Sequence, residues 1–428
     1  MNMFGLAARN VFRNRRRTIL NTVAIALGVA LMFVCLGWVQ GYATYIYRAI
    51  IRFQTGAAQI LRAGYQDESA RYPLDLTLPE YHAVRKGLLE LPGVTGASGR
   101  IDFFARIIAP SGAVRLLGQG IDAQAERKVS VLSQKIAAGS YLDDSPGLLL
   151  GSGVAKKLKV GVGSVVLVSA TDRYGVENRV ALTVRGLFSF GYGAMDDSIA
   201  YLDLASAQDL LDLGDEVTRV VLAGPRTEEV ERAASSFVAE LNAGAVRGLS
   251  GAVGGLSAAE PYPKAVAYPW QEFAKATVSG VRADTDSFYV IAVILFALII
   301  VGILNSMSMS VHERLRELAT LRAVGFRARD ARRLILLEGC VLACMGTMAG
   351  FIIAAPVAVW LGLAGVDIAA YIPKDFPVPF GEIYHADYRA WHLVVSAALG
   401  IGSSLAGSLL PAQRAARLPI AETIGAGV

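Results

Sequence analysis

Charge is scarce in this sequence: Asp, Glu, Lys and Arg make up 18% of its 428 residues, where soluble domains carry roughly 25%. With 54% apolar residues and a mean hydropathy of +0.45, that scarcity excludes a string of soluble domains and points to a chain that alternates between membrane and water. Cysteine is nearly absent. Cys35, Cys340 and Cys344 all fall inside apolar runs, so the long polar segment can hold no disulfide framework, and the i,i+4 pair Cys340 and Cys344 reads as small apolar packing. No G-x-x-x-x-G-K-[ST] loop exists, and Gly151-Ser152-Gly153-Val154-Ala155-Lys156 fails the G-x-G-x-x-G pattern at its last position. ATP binding by this chain alone is therefore not expected, and neither is any catalytic site or cofactor. His82, His312, His385 and His392 are scattered with no H-E-x-x-H, so no metal site is expected either. Asp143-Asp144 and Asp196-Asp197 read as turn or capping residues. The net charge of +5 sits largely in short segments beside apolar runs, a sign of topology and not of nucleic-acid binding.

Four runs are long enough to cross about 30 Å of hydrocarbon: 19–41, 288–309, 335–362 and 391–410. Arg9, Arg13, Arg15, Arg16 and Arg17 precede the first, seven arginines separate the second from the third, and Arg414 and Arg417 follow the fourth. The positive-inside rule then places 1–18, 310–334 and 411–428 in the cytoplasm, and 42–287 and 363–390 outside. Asp367, Asp375, Glu382 and Asp387 outweigh Lys374 and Arg389 in the second outer segment, which agrees. Arg15-Arg16-Arg17 resembles a twin-arginine signal, but the apolar run behind it is too long and lacks a cleavage site, so it is read as a retained span. Small residues at helix-packing intervals, Ala24 with Gly28, Gly346 with Gly350, Gly402 with Ala406 and Ser403 with Gly407, predict close helix contacts. Glu338, near the start of the third run, is expected to be solvated or paired with an arginine rather than to relay protons.

The fold class that follows is a membrane α-helical protein of four transmembrane helices, with a large α+β extracytoplasmic domain inserted between helices 1 and 2. Within the outer segment, helix is predicted at 79–91, 205–213 and 227–241, and strand at 101–108, 114–121, 165–170, 179–188 and 218–222. The Gly/Ala-rich stretch 242–263 reads as a flexible excursion.

The stretch 311–326 carries the most information. Val311, Leu315, Leu318 and Arg322 recur at helical spacing beside Leu321, with Glu313, Arg314, Arg316 and Glu317 on the remaining surface and Gly325 at the end. It predicts a short amphipathic helix continuous with the second span. Such a helix could convert a push from a cytoplasmic partner into movement of the spans.

Together with Leu6-Ala7-Ala8-Arg9-Asn10-Val11-Phe12-Arg13-Asn14-Arg15-Arg16-Arg17-Thr18, Glu338-Gly339, Pro411 to Arg417, the 151–158 stretch and Val184-Arg185-Gly186-Leu187-Phe188, this stretch resembles the FtsX/MacB/LolCE-type permeases of ABC transporters over essentially the whole chain. The resemblance implies a bacterial inner-membrane subunit paired with a second copy or a homologous permease. The pair would sit on a separate ATPase dimer that binds the ATP and Mg, through contacts at Val311, Glu313, Arg314, Leu315, Glu317, Leu318, Leu321, Arg322 and Gly325. It further implies release of lipoproteins or other lipid-linked cargo to a periplasmic carrier. The alternatives are MacB-like efflux with a membrane-fusion protein and FtsX-like activation of a cell-wall hydrolase. No substrate-binding residue is assigned.

Overall fold

The computed structural model describes residues 3–13, 15–143, 145–191, 193–246, 262–367 and 383–417. Asp144, Lys374, Asp375, Glu382 and most of the Gly/Ala-rich stretch lie outside the described residues. The chain forms two compact units, one from Met1–Tyr45, Gly280–Asp367 and Ile383–Val428, the other from Ile46–Ser279.

The first unit is helical. An N-terminal helix, Met3–Arg13, turns Ala7 and Val11 inward, and four helices follow that are long and apolar enough to cross a membrane: Arg15–Ile50, Lys275–Glu313, Ala328–Leu363 and Ala390–Ala416. They are called here the first to fourth long helices. The first and second outrun their apolar windows, so that 42–50 and 275–287, assigned from hydropathy to the outer segment, are helical. Hydropathy marks only the stretch that meets lipid, and no proline interrupts either extension. Thirty-six residues of helix in the first reach about 54 Å, well beyond the hydrocarbon thickness.

Small residues set the helix contacts, though not all of those expected. A Cβ on Gly346 would lie 2.6 Å from Ile25 Cβ, one on Gly350 would lie 2.7 Å from the Ala26 carbonyl, and one on Gly28 would meet Ile299 at 2.2 Å. The fourth helix differs. Gly402 has no described atom within 4 Å of a Cβ position, and Ala406 and Ala24 are exposed. The inward stripe is one residue over, at Gly400, Ser403, Ser404, Gly407 and Ser408, where Ser404 Oγ donates to the Gly339 carbonyl at 2.8 Å. Two small-residue stripes lie side by side on this helix, and spacing alone cannot tell which one meets the chain's own helices.

In the second unit ten strands form one sheet: β1 Ala58–Arg62, β2 Gly96–Ala109, β3 Gly112–Ile121, β4 Ile136–Gly139, β5 Leu148–Gly151, β6 Val165–Thr171, β7 Glu177–Phe188, β8 Ile199–Asp203, β9 Arg219–Ala223 and β10 Ala265–Pro269. Their order is β10-β1-β9-β2-β3-β8-β5-β7-β4, and β6 pairs with both β2 and β7. The long strand β2 thereby joins two systems. Its Ala105–Ile108 half closes a ring through β6, β7, β5, β8 and β3, and its Gly96–Arg100 half pairs with β9. Alternation assigns the faces. Ile60, Ile101, Phe103, Leu202, Val220 and Leu222 enter the apolar core, where the helices Tyr81–Leu89, Leu204–Leu211 and Thr227–Asn242 bury Val84, Leu88, Ala207, Leu210, Val230 and Phe237.

Candidate functional site

The second long helix does not run on into the amphipathic stretch. It stops at Glu313, Arg314 leaves helical geometry with φ −112° and ψ 15°, and a separate helix spans Leu315–Ala323. The side chain of Arg314 accounts for the break. Its Nη1 donates to Glu338 Oε1 at 2.9 Å and its Nε to Glu317 Oε2 at 3.0 Å, which draws the residue toward the third long helix. Glu338 is 2% exposed and also accepts from Asn10 Nδ2 at 2.8 Å. It is thus paired with an arginine and buried, not solvated.

Glu313 and Glu317, read from the sequence as lying in water, are exposed but answered from within the chain. Arg17 Nη1 lies 3.3 Å from Glu313 Oε2, and Arg13 pairs with Glu317. The N-terminal helix, the connecting helix and the third long helix therefore share one network of alternating charge. Burial alone would lower the Arg314 pKa, but Glu338 and Glu317 overcome it and raise it above the usual value. The hydrogen bond from Arg13, followed by that from Arg314, holds Glu317 below the ordinary carboxylate range.

Apolar packing supports the same junction. Val311 and Leu318 are buried with Val11, Ile335, Ala412 and Ala415, and Leu315 packs partly buried against them. Leu321 and Arg322 are half-buried. The connecting helix ends in a Schellman motif: Phe326 N donates to Leu321 O at 3.0 Å and Gly325 N to Arg322 O at 3.2 Å. Gly325 has φ +107°, and a Cβ there would meet no described atom, so the backbone conformation alone demands glycine. Asp330 Oδ2 accepts from Arg327 N at 3.2 Å and opens the third long helix. Asn10, Arg13 and Arg17 are the members that sequence reasoning missed. They stood in the N-terminal stretch that carries part of the family resemblance, but its basic charge was already explained by topology and nothing in the sequence paired them with 313–338.

Elsewhere in the helical unit, the first and second long helices border an apolar groove lined by Leu31, Leu36, Val39, Phe288, Leu295 and Phe296. Gln40 and Thr285 are among its few polar residues. The aspartates of the sheet unit act as structural acceptors. Asp196 receives Phe190 N and Ser189 Oγ, Asp197 pairs with Lys157 at 2.9 Å, and Asp143 receives Ser145 N.

Comparison with known proteins adds two family matches. The MacB-like periplasmic core domain matches residues 18–240, more than half of the chain, and the FtsX-like permease C-terminal domain matches residues 289–420. The chain is similar to the lipoprotein-releasing system transmembrane protein LolC of Xylella fastidiosa, at 24% identity over 94% of this chain and 92% of LolC. It is similar to LolE of that system in Haemophilus influenzae at 25% identity over 94% and 93%. With the macrolide export ATP-binding/permease protein MacB of Vibrio parahaemolyticus it shares 29% identity, but over 33% of this chain and 19% of that protein.

Proposed function

We propose, because the chain belongs to the FtsX/MacB/LolCE-type permeases of ABC transporters, that it passes the motion of a separate ATPase dimer to the removal of lipid-anchored cargo, lipoproteins foremost, from the outer leaflet of an inner membrane. In this reading the basic ends of the helices face the cytoplasm and the sheet unit lies outside. A second permease, identical or homologous, completes the membrane unit, and a soluble carrier receives the cargo. ATP and Mg belong to the partner ATPase, and this chain supplies no catalytic group.

The apolar groove along the first and second long helices carries the reading on cargo, because it offers acyl chains a protein surface inside the bilayer. A three-chain anchor with about 45 methylenes at ~0.8 kcal/mol each is held by on the order of 30 kcal/mol, too much for spontaneous escape. The end-to-end similarity to LolC and LolE favours the same cargo class. Depletion of the protein should leave lipoproteins in the inner membrane; normal sorting in depleted cells would overturn the cargo assignment.

The network at Arg314 is where we place the coupling. Replacing Glu313 and Glu317 with Lys sets new cations beside Arg17 and Arg13 and should weaken ATPase co-purification or uncouple hydrolysis, with membrane insertion intact. The charge swap Arg13→Glu with Glu317→Lys restores the pair with position 13 but not the bond from Arg314, so recovery of docking in the swap would assign the defect to loss of the Arg13 pair. Gly325→Val forces a branched residue to positive φ at a cost of at least about 1 kcal/mol and should impair the same step. Normal docking and normal coupling in all of these variants would remove the connecting helix from the mechanism.

A further inference from the structure

The sheet unit contains a solvent-open cavity of about 420 Å³ that neither the coupling network nor the acyl groove uses. Its floor is the sheet face opposite the apolar core, and alternation that elsewhere points apolar side chains inward here presents Gln59, Arg100, Asp102, Gln119, Tyr201 and Arg219 from five adjacent strands. Gln59, Arg100, Asp102, Gln119 and Tyr201 are each more than nine-tenths buried. Arg100 and Arg219 stand directly opposite each other across β2 and β9, an arrangement tolerated because each has a carboxylate. Arg100 forms a fork with Glu126 at 2.6 and 3.2 Å, and Arg219 pairs with Asp102, which also accepts from Gln119 Nε2 at 2.6 Å. Arg219 Nε remains without a hydrogen-bond partner among the described residues. The charges cancel in pairs, so the floor is polar and close to neutral.

The walls are aromatic. Phe53, Tyr65, Tyr72 and Phe273 line the cavity, with Gln54 and Gln66 between them. Tyr72 is held at φ 49° and ψ 62°, a left-handed conformation unusual for a bulky residue, and its ring meets Phe104 edge-on at 4.9 Å between centroids. Strain of this kind persists where a side chain must be held in one place.

We propose that this cavity binds a neutral, hydroxyl-rich ligand, a saccharide, with Gln54, Gln66, Gln119 and Arg219 bonding its hydroxyls and the aromatic walls covering its ring faces. A hydroxyl is donor and acceptor at once, and an amide side chain offers both functions on one rigid plane. Paired charges leave no free cation for a phosphate or carboxylate. A peptide adding as a further strand would need an open strand edge, but the floor strands β9, β2, β3 and β8 are paired on both sides and β1 lies between β9 and β10. This inference does not depend on the cargo reading above.

The test uses the full chain in nanodiscs, which avoid sugar-based detergents, with N,N′-diacetylchitobiose and lactose as probes and a neutral tripeptide as control, read by saturation-transfer NMR and calorimetry. At least one sugar should bind saturably and the tripeptide should not. Gln119→Ala should weaken sugar binding by about tenfold or more, the loss expected when a buried polar contact is removed. Tyr72→Gly removes a wall ring and relaxes the backbone, since glycine accepts positive φ freely. It should lower sugar affinity while leaving the melting temperature unchanged or raised, so a loss there cannot be blamed on unfolding. Absence of saturable sugar binding, equal affinity in wild type and Tyr72→Gly, or a tripeptide that competes for the site would each overturn the proposal.

Discussion

Glu338→Ala should leave the chain in the membrane yet cut ATP-driven cargo release by about tenfold or more. The carboxylate receives both Arg314 and Asn10, and its loss strands two donors at a junction where Arg314 is only 12% exposed. Breaking a buried pair from one side typically costs about 3–5 kcal/mol. Here the lower end applies, because Arg314 keeps Glu317. Arg314→Ala should be more damaging, since it leaves the carboxylate of Glu338 with Asn10 alone among its described hydrogen-bond donors. The double variant Arg314→Met with Glu338→Met decides what the pair is for. An apolar replacement of similar volume often restores stability; if the pair only glues helices together, the double variant should restore release as well. If the pair keeps the connecting helix and the third long helix moving as one body, stability returns while hydrolysis stays uncoupled from release. Equal amounts of each protein in the membrane, with ATPase rate and release measured side by side, separate the two.

How much of this was legible in the sequence follows from the range of the forces involved. The four long apolar helices were readable because a bilayer demands an uninterrupted apolar run, a constraint local to each segment. Gly325 was readable for a similar reason: helix endings use a small set of residues within a few positions. The partners of Glu313 and Glu317 were not, because Arg17 and Arg13 lie some 300 residues away in the chain and their charge was already explained by topology. Arg314 shows the same gap at shorter range. Periodicity ran straight through it, and the helix breaks there because a buried carboxylate on another helix competes for its side chain.

In the sheet unit, the longer strands β2, β3, β6 and β7 and the helices Tyr81–Leu89 and Thr227–Asn242 were anticipated near their observed positions. Strands β1, β4, β5, β8 and β10, of four or five residues each, were not. Short apolar runs such as Leu148-Leu149-Leu150 carry no period by which strand and buried helix can be told apart. The polar row along the cavity floor escaped for a related reason. Gln59, Arg100, Gln119 and Arg219 each look like ordinary outward-facing residues in their own strands, and only the strand order sets them side by side.

The second large effect belongs to Glu126. Replacing it with Gln should destabilise the folded chain by about 3–5 kcal/mol at neutral pH and by much less in acid. Glu126 is 2% exposed, and its two oxygens take Arg100 Nη2 at 2.6 Å, Arg100 Nε at 3.2 Å and Ser98 Oγ at 2.7 Å. Burial pushes its pKa up, but Arg100 and the hydrogen bonds prevail and hold it below the ordinary carboxylate value; Arg100, in turn, is raised despite its burial. The sign is fixed by linkage. A carboxylate whose pKa is lower folded than unfolded contributes its stability above the unfolded value, roughly 4.3, and loses it as the pH falls through the depressed folded value. Arg100, raised from an already high pKa, contributes the same stability throughout this range. The gap in melting temperature between wild type and Glu126→Gln should therefore be widest at pH 7 and shrink steadily below about pH 4. Other carboxylates titrate there too, and taking the difference between two chains that share them removes their effect. Unfolding of the intact protein in nanodiscs, followed by protease protection from pH 7 down to about pH 3, supplies the measurement. A gap that holds constant across that window would mean that Glu126 has the same pKa folded and unfolded, so that Arg100 does not favour its charge; a gap that widens as the pH falls would mean that Glu126 is held neutral in the fold, and that the arginine on the cavity floor is neutralised by some other group.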